Sequence, residues 1–150
     1  MCRMAEFVVR EAIVPTLQET TKDGVIREMV RSLQAAGHLA GCDTDEIVKA
    51  ILRREQLGST GIGRHIAIPH AKHPKLEKLV GTIGLSKAGV PFDSIDAQPV
   101  HVLVLLISPK DKPGDHLRAL ENVVKSMRNQ DFVDALRKAE TPEAVWALLQ

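Results

Sequence analysis

Val100-His101-Val102-Leu103-Val104-Leu105-Leu106-Ile107 is a nearly unbroken apolar run, bounded by Pro99 and Pro109. A strand with one wet face alternates polar and apolar residues, whereas an unbroken Val- and Ile-rich run reads as a strand buried on both faces. Such a strand needs helices above and below it. Outward from it, Leu79 to Leu85 and Val90 to Phe92 are strand candidates around a turn at Lys87-Ala88-Gly89. Ile66-Ala67-Ile68 reads as a short strand closed by Pro69, and Phe7-Val8-Val9 and Ile13-Val14-Pro15 are short β-prone pieces.

Helical periodicity fills the rest. Val25, Ile26, Met29, Val30 and Leu33 form one stripe of a helix over Lys22 to Ala36, capped by Thr20 or Thr21 and ended by Gly37. Thr44 to Leu57 is a second helix, with Asp43 and Glu46 in capping-box spacing and Gly58 as its stop. Pro113 to Met127 follows the buried strand and turns Leu117, Leu120, Val123, Val124 and Met127 inward. Gln130 to Ala139 and Pro142 to Leu149 complete the set, the last with Thr141 as cap and Pro142 in first position. The expected fold class is therefore α/β, a mixed β-sheet flanked by helices on both faces. The 150 residues suit a single domain, 1–150, with a core of about 6–149.

Composition narrows the function. A formal net charge of +1 argues against a nucleic-acid binder, which carries a basic stripe. No apolar run approaches the roughly 20 residues that span a bilayer, so no membrane insertion is expected. Met1 to Glu6 is followed by no apolar signal-peptide core. Cys2 and Cys42 make neither a metal spacing nor a disulfide framework, and read as reduced thiols of a cytoplasmic protein.

The chemistry concentrates in Thr60-Gly61-Ile62-Gly63-Arg64-His65-Ile66-Ala67-Ile68-Pro69-His70. A neutral imidazole is nucleophilic at pH 7 and can carry a phosphoryl group. His70 follows a strand and a proline, at a strand-to-loop edge, and the glycine-bearing segment before it offers N–H groups to phosphate oxygens. Arg54, near a helix end one loop upstream, has the planar fork suited to phosphate. His116 lies in a first helical turn, where the backbone favours an anion and a neutral ring. Each also has an ordinary reading: His70 as a surface loop residue, Arg54 as a solvated cation, His116 as a polar first-turn residue. His65, His70 and His73 lack the carboxylate or thiolate that would complete a metal set, and their spacing fits no known one. His101 reads as a partly buried strand residue and His38 as a helix-end residue. The glycine segment is neither a Walker loop nor a dinucleotide fingerprint.

Arg54-Glu55-Gln56-Leu57-Gly58-Ser59-Thr60-Gly61-Ile62-Gly63, followed by Ile66-Ala67-Ile68-Pro69-His70, closely resembles enzyme IIA of the bacterial phosphoenolpyruvate-dependent sugar phosphotransferase system. The match is to the fructose/mannitol class (type 2), which includes stand-alone nitrogen-regulatory IIA proteins. It runs from about Thr21 to the end and takes in Asp115-His116-Leu117 and Thr141-Pro142-Glu143. The resemblance implies that His70 is phosphorylated at Nε2 by an HPr-like phosphocarrier protein, with Nδ1 held by a local acceptor. It implies that Arg54 and His116 support the phosphoryl group, and that Ser59, Thr60, Gly61 and Gly63 line the pocket. It implies no metal or other cofactor. The next acceptor would be a IIB domain or a regulatory target on another chain, because nothing here resembles a IIB or IIC domain. An alternative is a purely regulatory protein of nitrogen or potassium control, whose partners depend on His70 phosphorylation without sugar transport. Arg64 and His65 add positive charge beside the motif, and His73 lies three residues past His70; none of the three belongs to the motif, and they either tune partner choice or have no role.

Overall fold

The computed structural model describes residues 3–150, so Cys2 lies outside the described residues. The sheet is built around the apolar run of residues 100–107. In chain order the strands are β1 (Gly61–Gly63), β2 (Ile66–Ala67), β3 (His70–His73), β4 (Val80–Val90) and β5 (Val100–Pro109). β5 pairs antiparallel with β4 on one side and parallel with both β2 and β3 on the other, while β1 pairs antiparallel with β2. The sheet is thus mixed.

The helices are α1 (Met4–Phe7), α2 (Lys22–Ala35), α3 (Thr44–Leu57), α4 (Pro113–Met127), α5 (Gln130–Lys138) and α6 (Pro142–Leu148). Successive side chains of a strand point to opposite faces. On β5, Leu103, Leu105 and Ile107 join the core under α2 and α3. Val102, Val104 and Leu106 join a second core with residues of α1, α4, α5 and α6. All six are fully buried, which is why no polar alternation marks this strand in the sequence. Helix caps act locally as the sequence suggests: Thr21, Asp43 and Thr141 each accept a hydrogen bond from a first-turn amide. Glu46, however, does not close a capping box; its carboxylate lies 3.6 Å from Nε2 of His73.

Several expectations are corrected. The β-prone N-terminal pieces are not strands. They run along β4, with Val9 N donating to Gly81 O at 2.8 Å and Val14 N to Ile83 O at 2.9 Å. The short helix α1 and a 3₁₀ turn at Arg10–Ala12 interrupt the ladder, leaving only isolated bridges at Val8 and Val14. No turn splits the fourth strand: Val80 to Val90 is one strand, irregular between Leu85 and Val90, with Gly89 at φ +88°. Pro69 does not end strand pairing. Ile66 lies opposite Val102 and His70 opposite Leu106, the same offset on both sides of the proline, and Leu106 N donates to Pro69 O at 3.0 Å. His70 therefore opens a strand and does not sit in a loop. Leu117 faces outward at 57% exposure.

Since β5 supplies both cores, Leu105→Ala should destabilise the fold by about 2–5 kcal/mol in urea unfolding. A loss below about 1 kcal/mol would contradict the central role given to this strand.

Candidate functional site

Three elements converge at the free edge of β3. The inward stripe of α3 is Ile47, Val48 and Ile51, which leaves Ala50, Arg53, Arg54 and Leu57 on the side facing that edge. β3 pairs only with β5 among the described residues, so its outer side stays open. α4 begins with Pro113 and carries His116 in its first turn. Between them lies a groove of about 750 Å³. It is lined by Arg53, Arg54, Leu57 and Ala50 from α3, by His70, Ala71 and Lys72 from β3, and by His116 and Leu120 from α4.

Strand geometry explains why the two histidines meet. His70 is paired with Leu106, whose side chain is in the α4-side core. Two residues on, Ser108 has the same facing, and its hydroxyl contacts Nδ1 of His116 in a short hydrogen bond. The two imidazoles stand with ring centroids 5.3 Å apart, tilted by 54°.

The tautomer of His70 follows from its neighbour. Nδ1 lies 2.6 Å from the Ile68 carbonyl oxygen, an acceptor only, so Nδ1 carries the proton and donates. Neutral His70 then has its lone pair on Nε2. Burial pushes its pKa below the usual value, and the Arg54 and Lys72 charges act the same way; the Ile68 hydrogen bond and Glu55 oppose them. His116 is depressed further, to about 4, by burial first and then by the charges of His70 and Lys72. Both rings are therefore neutral near pH 7. Arg54 donates Nη1 to Gly58 O at 2.8 Å, which holds the guanidinium across the end of its own helix. The groove can thus offer a nucleophilic nitrogen with a fixed cation beside it, apolar ground at Leu57 and Leu120, and no acidic side chain in its lining.

The glycine segment behaves differently from its expected role. Ser59 donates to Phe92 O at 2.5 Å and accepts from Gly61 N at 3.0 Å. Thr60 is buried, with its amide 3.2 Å from the Glu55 carboxylate and its hydroxyl bonded to the same group. Lys22 completes this knot at 3.1 Å from Glu55. Gly61 packs on Ser94, and Gly63 lies against Asp96 and Ile95. None of the four lines the groove; the Ser59 hydroxyl, the Thr60 amide and hydroxyl and the Gly61 amide are committed to hydrogen bonds within this segment, to Glu55 and to Phe92. Arg64 is also drawn away, donating to Met127 O at 2.9 Å and to Gln130 Oε1 at 2.6 Å. His65 stacks edge-on with His101 at 5.4 Å. His73 is buried on the α3 side, its Nδ1 accepting from Lys75 N at 3.2 Å. Arg53, Lys72, Ser108 and the exposed Leu57 were not singled out by sequence reasoning. The only available signal for Ser108 was a hydroxyl closing an apolar strand shortly before a first-turn histidine.

The comparisons with known proteins agree with this fold. The family model described as "Phosphoenolpyruvate-dependent sugar phosphotransferase system, EIIA 2" matches residues 6–150. The chain belongs to this family. A nitrogen regulatory protein of Bradyrhizobium diazoefficiens is 34% identical over 146 residues, covering 97% of this chain and 94% of that one. The fructose-specific EIIABC component of Bacillus subtilis is also 34% identical, over 95% of this chain but only 22% of its own length. The crystal structure of nitrogen regulatory protein IIA-Ntr from Neisseria meningitidis superposes with a TM-score of 0.89 at 25% identity, covering 98% of this chain and 99% of that one. Membership makes the chain a phosphotransferase-system component of the EIIA type. No helix of the described residues is long and apolar enough to cross a membrane.

The depressed His116 pKa has a stability consequence. The unfolded chain binds a proton to this ring at 6.5, the folded chain only near 4. Between those values the unfolded state binds more protons, so stability is full above 6.5 and falls as the pH drops toward 4. His116→Gln should flatten that part of the Tm-versus-pH curve; an unchanged slope would show that His116 is not held neutral.

Proposed function

We propose that His70 accepts a phosphoryl group on Nε2 from a phosphohistidine of an HPr-like carrier protein and passes it on, with Arg54 and His116 steadying its oxygens. The observation that carries this reading is the Nδ1–H to Ile68 carbonyl bond of 2.6 Å, which leaves Nε2 as the free lone pair in the groove. In the transfer, the Nε2 lone pair attacks phosphorus in line while the donor's N–P bond breaks and its electron pair returns to the donor ring. The attacked ring keeps its Nδ1 proton and gains positive charge, which the Ile68 carbonyl stabilises. The protein contributes positioning and electrostatics. Arg54 offers a fork to the equatorial oxygens, and Lys72 adds a second charge at the rim.

Where the group goes next has two readings. The fructose-specific relative favours a IIB acceptor on a separate chain. The near-complete coverage of a stand-alone nitrogen regulatory relative favours a regulatory target, and this is the reading we adopt. A pull-down comparing loaded and unloaded protein separates them: partners retained in one state only support regulation, and transfer to a sugar-specific IIB supports transport.

With labelled phosphoenolpyruvate, enzyme I and the carrier, wild-type protein should take up label and His70→Ala should take up none; equal labelling of both overturns the assignment. Arg54→Ala should slow loading by roughly 10²–10³-fold, and Arg54→Lys should recover only part of it, because an ammonium lacks the planar fork. The acid midpoint of loading should lie below 6.5, because burial and Arg54 hold the His70 pKa under its usual value. An acid midpoint above 6.5 would contradict the site's electrostatics.

A further inference from the structure

His116 can support a phosphoryl oxygen only if the nitrogen that reaches the groove carries a proton. Its other nitrogen, Nδ1, is bonded to the Ser108 hydroxyl. Two arrangements are possible. If Nδ1–H donated to Ser108, the hydroxyl proton would need another acceptor. Ser108 is wholly buried, and no second partner for its Oγ occurs among the described residues. A buried O–H without an acceptor is destabilising. If the Ser108 hydroxyl donates to Nδ1, every proton in the pair is matched and Nε2 of His116 carries its hydrogen.

From this geometry we infer that Ser108 is a positioning residue: its hydroxyl donates to Nδ1 of His116, fixing the Nε2–H tautomer and aiming that N–H at the oxygens of a phosphoryl group on His70. The inference rests on the proposed phosphoryl function. It gives the paired rings opposite tautomers. His70 is held as Nδ1–H by Ile68 and presents a lone pair; His116 is held as Nε2–H by Ser108 and presents a donor. The strand register builds this in, because Ser108 stands two residues beyond the partner of His70 and faces the same side. Ser108 touches neither reactant and acts only through His116.

Long-range ¹H–¹⁵N NMR of the wild-type protein near pH 7 tests the tautomer directly. Nε2 of His116 should be the protonated, pyrrole-like nitrogen and Nδ1 the acceptor; a proton on Nδ1 overturns the inference. In Ser108→Ala the two nitrogen shifts should move toward each other, as both tautomers become populated. Loading of His70 from the labelled carrier should slow by about tenfold with carrier affinity unchanged, less than the loss of a whole donor because only its orientation is released. Ser108→Thr, which keeps the hydroxyl, should restore both signals. In a His116→Ala background Ser108→Ala should have no further effect. A persisting tenfold loss there would make Ser108 merely structural and overturn the claim. If wild-type protein takes up no label while His116 is found as Nε2–H, the phosphoryl reading fails and the tautomer assignment stands.

Discussion

The parallel pairing of β5 with a strand that continues past a proline fixes everything at the site. Because the offset is the same before and after Pro69, Ile66, Ile68 and His70 stay on one face, and Ala67 and Ala71 on the other. A slip of one residue would send His70 to the α3 side and His73 to the α4 side. The register is held by the two cores, which interleave apolar side chains from β5 with α2 and α3 on one face and with α4 to α6 on the other. Helix α4 is thereby seated with its first turn over Ser108, and the His70–His116 pair follows from sheet geometry with no specialised loop.

The electrostatics of the groove come from burial more than from charge partners. Desolvation is the largest effect at both imidazoles; Arg54 and Lys72 reinforce it at His70, and His70 and Lys72 reinforce it at His116. A carboxylate beside either ring would favour the protonated form and remove the lone pair. Glu55 does oppose the depression of His70, but its carboxylate is paired with Lys22 and hydrogen-bonded to Thr60, and it is outweighed by burial and Arg54. The ion pair thus serves twice. It fastens β1 to α2 and α3, and it holds the Glu55 carboxylate outside the lining of a groove that presents cations.

Much of this was legible in the sequence. The unbroken run 100–107 announced a doubly covered strand, the stripe of α2 showed as a 3.6-residue period, and both α2 and α3 showed an N-terminal cap and a glycine stop. His70, Arg54 and His116 are brought to one groove, as their resemblance to enzyme IIA implied. What failed has physical reasons. Pro69 reads as a stop because it lacks an N–H, yet its carbonyl still accepts from Leu106 and the ladder survives. Ser59, Thr60, Gly61 and Gly63 look like a phosphate cradle because spacing cannot reveal that the Ser59 and Thr60 hydroxyls and the Thr60 and Gly61 amides already have partners. Leu117 fits an inward helical stripe, but the buried face of α4 runs through His116, Ala119, Val123 and Met127. Ser108 was invisible because its importance lies in a side chain eight positions later.

The bond from His70 Nδ1 to the Ile68 carbonyl has one more implication. With Nδ1 bonded to the Ile68 carbonyl, only Nε2 of the His70 ring is left to a visitor. Any two proteins that exchange a group through it must come by the same approach and overlap on the same ground of Leu57, Leu120 and Lys72. They cannot be present together. Traffic through such a site is sequential by geometry, and whichever partner lingers also blocks the other.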